Sequence, residues 1–168
     1  GSTVVAMNMY ASDRACIVFA AGVDHAYALV EALEKAGFPS AAIVGDMSGE
    51  EREDVYKRFR SGQLQVMVTV TVLTEGADFP RCDCVVMARP TKSKSLHFQQ
   101  VGRAIRLYTD PVTGKEKTDA LVLDLAGHSK FIPLASLKDL DDDFDIEYVN
   151  PEGDVLDEEE LDAEEEKK

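Results

Sequence analysis

Short apolar runs separated by segments of helical spacing leave this chain few ways to fold. The runs hold four to six residues, several of them β-branched, and lie at residues 15–20, 41–44, 65–70, 84–87 and 120–125. Continuous apolar runs of this length are typical of strands buried on both faces of a sheet. Because strands that alternate with helices form a parallel sheet covered on both sides, we expect an α/β fold, a three-layer αβα sandwich with a mainly parallel central sheet.

Three helices are predicted from spacing and from their end signals. The first covers residues 25–36 and ends before Gly37, and the second begins at the capping-box pattern Ser48-x-x-Glu51 and ends near Gly62. The third covers residues 93–105, with its larger apolar side chains on one side. Asp-Pro and Thr-Gly pairs between residues 107 and 119 predict a small exposed hairpin.

The charge of the chain is confined to one end. Residues 1–138 hold 16 acidic and 16 basic side chains, whereas residues 139–168 hold 16 acidic and 2 basic, which accounts for the formal net charge of −14. We therefore expect a lead-in segment at 1–14, a folded domain at 15–138 and an acidic, largely disordered tail at 139–168. The alternation of Phe144, Ile146 and Tyr148 leaves a short strand or helix at 144–149 open. A neutral folded part is compatible with a local basic face.

The cysteines, Cys16, Cys82 and Cys84, do not predict a disulfide framework, because their number is odd and no secretion signal is present. Cys82-x-Cys84 lacks a second Cys/His pair, so we expect no metal site and interpret Cys84 as a small buried residue that opens a strand. No apolar run reaches the roughly 18 residues of a membrane span. Gly1-Ser2 is typical of a dipeptide left after removal of an expression tag, so we expect the natural chain to begin further upstream.

Gln99-Gln-Val-Gly-Arg103-Ala-Ile-Arg106 is the first segment that indicates chemistry. On a helix, Gln99, Arg103 and Arg106 share one face. Two guanidinium groups on one face suit a polyphosphate, because each carries a permanent charge and a planar fork of donors. Two solvated surface arginines remain the alternative interpretation.

A second segment, from Thr69 to Pro80, follows the third predicted strand. Ligands of open α/β sheets gather beyond the carboxyl ends of the strands, and Asp78, close behind Gly76, has oxygens that accept hydrogen bonds from sugar hydroxyls. An ordinary strand-to-turn loop is the alternative.

A third segment, residues 17–25 (IVFAAGVDH), places Gly22 between a strand and a helix. Backbone N–H groups at such a helix start suit a phosphate, although many α/β proteins share this arrangement.

Taken in order, these segments resemble the C-terminal RecA-like domain of superfamily 2 helicases. IVFAAGVDHA resembles motif IV, IVGDMSGEEREDVYKRFRSG the segment that follows it, VTVLTEGADFP motif V and QQVGRAIR motif VI. VVMARPTKSKSLHFQQVGRAIRL is similar to the branch of restriction-enzyme motor subunits and of mitochondrial and phage branch-migration helicases. The resemblance covers roughly residues 15–125 and implies a RecA-like fold.

The resemblance also implies roles for individual residues. Arg106 matches the arginine finger on the γ-phosphate of ATP, Arg103 a second phosphate contact or coupling residue, and Gln99 a member of the interdomain polar network. Gly76 and Asp78 match the pair near the nucleotide ribose. Contacts to the nucleic-acid backbone are implied for the following residues, with the choice between the two threonines left open: Gly22, Gly45, Asp46, Thr69 and Thr71.

A phosphate-binding loop of the form G-x-x-x-x-G-K-[ST] is absent from the sequence, and no DExx-type segment follows a strand. The resemblance therefore implies that ATP and Mg²⁺ are bound mainly by an N-terminal RecA-like domain of the same chain, and that this fragment alone does not hydrolyse ATP.

We interpret the sequence as the second motor domain of an ATP-dependent helicase or translocase. Nucleic acid, with DNA favoured by the branch resemblance, and the N-terminal RecA-like domain are the expected partners. We expect no membrane partner, a monomer, and a cytoplasmic location in a prokaryotic or phage-infected cell. The alternative is a non-catalytic RecA-like interaction module with an acidic partner-binding tail, and the pair of motif VI arginines argues against it.

Overall fold

The structure is a computed structural model that describes residues 2–70, 79–89, 109–117 and 119–125, together with the backbone of 145–149 and 155–156. Its helices are α1 (Ser2–Tyr10), α2 (Val23–Lys35) and α3 (Gly49–Ser61). Its strands are β1 (Cys16–Phe19), β2 (Ser40–Ile43), β3 (Val66–Thr69), β4 (Cys84–Met87), β5 (Asp119–Asp124), β6 (Asp145–Val149) and β7 (Val155–Leu156).

The strands form one sheet in the order β2-β3-β1-β4-β5-β6-β7. Every neighbouring pair is parallel except β6 and β7. Phe19 at the end of β1 lies in register with Thr69 on one side and with Met87 on the other. Strands β1 to β4 therefore end at one level, and the segments that follow them begin side by side.

Helices cover both faces of this sheet, which explains why the central strands are buried throughout. On one face, α1 and α2 pack through Ala6, Met7, Leu29 and Leu33 against the side chains that include Val18. On the other, α3 packs through residues such as Val55 and Phe59 against Ile17 and Phe19. The described chain thus has the predicted three-layer α/β architecture.

The five predicted strands and the first two predicted helices are confirmed to within two residues at each end. Ser48 begins α3 with the predicted capping box: its Oγ accepts from Glu51 N at 3.2 Å, and Glu51 Oε2 accepts from Ser48 N at 2.8 Å. Gly37 and Gly62 have φ of +91° and +83°, the left-handed conformation that ends a helix at little cost only for glycine. The helix predicted at 93–105 lies outside the described residues.

The predicted hairpin is present as a tight turn with one antiparallel bridge, between Thr109 and Glu116. Asp110 Oδ1 accepts from Val112 N at 2.8 Å and from Thr113 N at 3.0 Å, so the aspartate side chain closes the turn. Val112 is 91% exposed at its tip.

The two ends of the chain differ from expectation. The lead-in segment contains α1, which buries Ala6 and Met7 in the core and so belongs to the packed domain. Within the acidic tail, β6 pairs with β5 and β7 with β6. The hydrogen bonds of a strand pair join backbone groups, so an acidic segment can still form strands although its composition disfavours them. The short strand left open at 144–149 is β6.

The three cysteines are buried, and Cys84 opens β4 as interpreted from the sequence. Within the described ranges, no three metal-ligating side chains come together. None of the described helices has the length and apolar character needed to cross a membrane.

Candidate functional site

The residues that follow β1, β2 and β3 meet at one side of the sheet, which we call the carboxyl edge: residues 20–22, 44–46 and 70, with 88–89 after β4 and 125 after β5. Gly22, Gly45 and Asp46 lie here, and Thr69 ends β3 immediately below it. Segments far apart in the sequence are therefore adjacent, because their strands are neighbours in register. This is the side of a parallel sheet where ligands gather.

Gly22 is the N-cap of α2. Its backbone is extended, with φ −173° and ψ 175°, its carbonyl accepts from Ala26 N at 2.9 Å, and no side chain caps the helix. A Cβ at this position would meet no atom within 4 Å, so neither strain nor crowding requires a glycine. Backbone N–H groups in the first turn of α2 thus face the carboxyl edge without a side-chain acceptor at the cap.

Gly45 and Asp46 are exposed in the turn between β2 and α3. Val44 and Met47 close this turn, with Met47 N donating to Val44 O at 3.3 Å. Phosphate oxygens would be met here by backbone N–H groups, since the carboxylate of Asp46 has the wrong sign of charge to attract them.

Thr69 is fully buried at 0% exposure, and its carbonyl accepts from Ala20 N at 2.8 Å. Its side chain is enclosed in this conformation, and Thr71, the alternative implied by the resemblance, lies outside the described residues. The backbone of Thr69 supports the geometry of the carboxyl edge, because its carbonyl links the end of β3 to Ala20, the first residue after β1.

The other site residues taken from the resemblance lie outside the described ranges. They are Thr71, Gly76, Asp78, Gln99, Arg103 and Arg106. The described backbone approaches them on two sides, ending at Val70 before the first group and at Arg89 before the second.

Two arginines at the carboxyl edge were not singled out from the sequence. Arg89 follows β4, and its Nη1 donates to Val70 O at 2.7 Å. Arg52 on α3 extends toward the end of β2, with its Nη2 3.5 Å from Val44 O. The Nε atoms of both are buried, and neither has a hydrogen-bond partner in the part of the chain that the structure describes. The signal available in the sequence was the position of Arg89 directly behind an apolar strand, where a charged side chain reaches the ligand side of a parallel sheet.

The opposite, amino edge of the sheet carries a separate cluster of charges. Arg14 pairs with Asp119 through both oxygens, and Lys117 Nζ donates to Cys82 O at 2.6 Å. Hydrogen bonding to Arg14 lowers the pKa of Asp119, whereas burial raises the pKa of Asp83 and lowers the pKa of Lys117. These contacts join chain segments to one another, so this cluster is structural in the described part of the chain.

Comparison with known proteins bears on the same segments. Residues 3–108 match the family model described as the helicase conserved C-terminal domain. A Schizosaccharomyces pombe protein named as the mitochondrial ATP-dependent helicase irc3 is 36% identical over 126 residues, which cover 74% of this chain and 20% of that protein. A Saccharomyces cerevisiae protein named as the ATP-dependent helicase IRC3 is 30% identical over 95 residues, 56% of this chain and 14% of that protein.

The chain therefore spans a fifth or less of the length of these two relatives. Among solved structures, the C-terminal domain of the DEAD-box protein Dbp5 matches with a TM-score of 0.61 at 20% identity, covering 99% of this chain and 90% of that one. This likeness concerns the fold and confirms the RecA-like architecture. The family model matches well over half of the residues, and the chain belongs to the helicase conserved C-terminal domain family.

Proposed function

We propose that this chain is the second motor domain of an ATP-dependent helicase or translocase that moves along nucleic acid, with DNA as the favoured substrate. The observation that carries the proposal is that the residues directly after β1, β2 and β3 meet at the carboxyl edge. These residues belong to the stretches of sequence that match motif IV, the segment behind it and motif V. Membership of the helicase C-terminal family and the names of the two yeast relatives support it.

The donors at the carboxyl edge suit phosphate oxygens. The side with Gly22 presents the N-terminal turn of a helix, and Arg52 brings a guanidinium group to the same edge. We assign the binding of ATP and Mg²⁺ mainly to a first RecA-like domain, where Mg²⁺ supplies charge neutralisation on the phosphates. This first domain would contact the nucleotide from the opposite side of a cleft between the two domains.

In that arrangement, Arg106 contacts the γ-phosphate, Arg103 a further phosphate oxygen, and Gly76 and Asp78 the ribose, as the family resemblance implies. Gln99 joins the polar network between the two domains. Contacts to the backbone phosphates of nucleic acid come from the loops at Gly22 and Gly45, and such contacts carry little sequence preference. Opening and closing of the cleft in each ATP cycle then moves one domain along the strand.

The test is the ATPase activity of the longer protein that contains this chain. We expect turnover that rises on addition of single-stranded or branched DNA and rises less with RNA of the same length, and we expect no turnover from the 168-residue chain alone. An intact protein that hydrolyses no ATP with any nucleic acid would contradict the proposal and favour the non-catalytic interaction module. Stronger stimulation by RNA would overturn only the choice of DNA.

A further inference from the structure

Arg89 makes an unusual connection between two strands that are not neighbours. It lies two residues beyond the end of β4, yet its Nη1 donates to the carbonyl of Val70, the first residue after β3, at 2.7 Å. Strand β1 lies between β3 and β4 in the sheet. The side chain of Arg89 therefore crosses the carboxyl end of β1 and fixes the spacing between the segments that leave β3 and β4.

Stability alone does not explain why an arginine occupies this position. Its Nε is buried and has no hydrogen-bond partner in the described structure. An unpaired buried donor is costly, and native proteins retain such groups mainly where function requires them. A methionine would fill the same volume without an unpaired donor.

The two segments that Arg89 joins are those that the proposed function uses. Val70 is the first residue of the stretch that matches motif V, and Arg89 immediately precedes Pro90 and the stretch that leads to motif VI. A cationic donor bonded to a carbonyl is a stronger tether than a neutral one. Ala20 N donates to Thr69 O beside it, so the backbone directly before Val70 is already held in the sheet.

We propose that Arg89 is a positioning residue that holds the nucleic-acid-contacting and nucleotide-contacting segments of this domain at a fixed spacing, and so couples nucleic-acid binding to ATP turnover. This inference rests on the proposed function. Arg89 contacts neither substrate in this role. It acts through the carbonyl of Val70, and its contribution appears in the coupling of the two activities.

The experiment compares Arg89→Met, Arg89→Lys and the control Arg81→Met in the intact protein. Arg81 is a matched control because its Nη1 also donates to backbone carbonyls, those of Phe59 at 3.0 Å and Leu64 at 3.3 Å, at the opposite end of the sheet. The readouts are the melting temperature, the DNA-stimulated kcat, and the basal kcat without DNA. The carbonyl ¹³C resonance of Val70, measured in the 168-residue chain, reports the contact itself.

We expect Arg89→Met to shift the Val70 resonance, to keep or raise the melting temperature, and to lower the DNA-stimulated kcat by about tenfold to a hundredfold, since small misplacements cost that much. Its basal kcat should fall much less. Arg89→Lys should recover part of the stimulation, because the contact uses a single donor. Arg81→Met should lower the melting temperature and leave the kcat of the folded enzyme unchanged.

DNA stimulation within twofold of wild type in Arg89→Met would overturn the inference. A loss of stimulation that is accompanied by a lowered melting temperature would also overturn it, because general instability would then explain the loss. A wild-type protein whose ATP turnover is stimulated by neither DNA nor RNA would instead refute the proposed function, and that result is seen before any variant is made.

Discussion

Arg14 and Asp119 form a bidentate ion pair across 105 positions of the chain, with Nη1 2.8 Å from Oδ1 and Nη2 2.7 Å from Oδ2. The pair joins the segment before β1 to the first residue of β5 at the amino edge of the sheet. Arginine suits it because the planar guanidinium meets both carboxylate oxygens at once. The pair thereby ties β5 to the segment that leads into the central strand.

We expect Arg14→Ala to lower the free energy of unfolding by about 1 kcal/mol, a value reduced for solvent screening because the side chain of Asp119 is 46% exposed. Arg14→Lys should recover little of this loss, since an ammonium group lacks the planar fork. Urea denaturation measures the change. Lys35→Ala, which breaks the exposed pair with Glu31, is the control and should lower the free energy of unfolding much less than Arg14→Ala does. Full recovery in Arg14→Lys would contradict the bidentate interpretation.

The pH dependence of stability should differ between two aspartates beside Arg14. Hydrogen bonding to Arg14 lowers the pKa of Asp119, so its contribution is present above the ordinary aspartate pKa of about 3.9 and is lost as the pH falls through the lower folded value. Burial raises the pKa of Asp83, so its ionised form opposes folding once the pH exceeds the ordinary value.

Asp119→Asn should therefore be less stable than wild type at pH 7, with the difference shrinking in acid. Asp83→Asn should be at least as stable as wild type at pH 7. In the structure Asp83 Oδ1 accepts from Ala15 N at 2.8 Å, and the amide oxygen of asparagine can accept the same hydrogen bond. Thermal melts of both variants test the contrast. They are recorded between about pH 3 and pH 7, a range of about four units that includes the ordinary aspartate pKa. Equal destabilisation of the two at pH 7 would refute it.

Arg106→Ala in the intact protein should reduce ATP turnover by about 10³-fold or more, the range found for arginine fingers. The loss should fall on kcat more than on nucleotide affinity, since the guanidinium acts on charge that develops in the transition state. Arg106→Lys should recover little. Arg58→Ala, on the exposed side of α3 where Arg58 pairs with Asp54, is the control that should leave turnover unchanged. Near-normal turnover in Arg106→Ala would show that the finger has been misplaced.

Removal of residues 157–168 should strengthen DNA binding by the chain a few-fold at low salt. This segment carries eight acidic and two basic side chains, and their net charge of −6 repels phosphate. The gain should vanish near 1 M salt, where the Debye length is about 3 Å. Fluorescence anisotropy with a labelled oligonucleotide measures the affinity.

The control for that truncation keeps its length and replaces the acidic side chains of 157–168 by amides, which separates charge from excluded volume. Truncation after Lys138 is a poorer test, because it also removes β6 and β7 from the sheet. Unchanged affinity at low salt in both the truncated and the amide-substituted chains would show that the acidic segment does not compete for DNA.

The strands and the ends of α3 were predictable because local chemistry decides them. Residues 84–87 form a continuous apolar run with two β-branched valines, and Ser48 with Glu51 closes its own capping box. The sequence allowed a strand at β6 but did not predict one, because the acidic residues around it indicated disorder. The strand forms through backbone pairing with β5, which the sequence pattern does not show.

The site was predictable where it follows a motif and unpredictable where it depends on packing. Gly22 and Gly45 reach one edge because β1 and β2, the strands that they follow, both pair in parallel with β3, which lies between them. The burial of Thr69 depends on the chain folded around it. Arg89 carries no spacing signal, because its partner is a backbone carbonyl and any residue would provide one.

Burial of all three thiols has a practical consequence for following this protein in motion. Burial raises the pKa of Cys82 to about 12 and that of Cys16 well above its ordinary value, so neither forms the reactive thiolate at neutral pH. Cys84 is fully enclosed beside them. A maleimide dye should therefore leave the native thiols unmodified and react with a cysteine introduced at Val112. The dye would then be an optical marker at the hairpin tip, and no native cysteine would have to be removed.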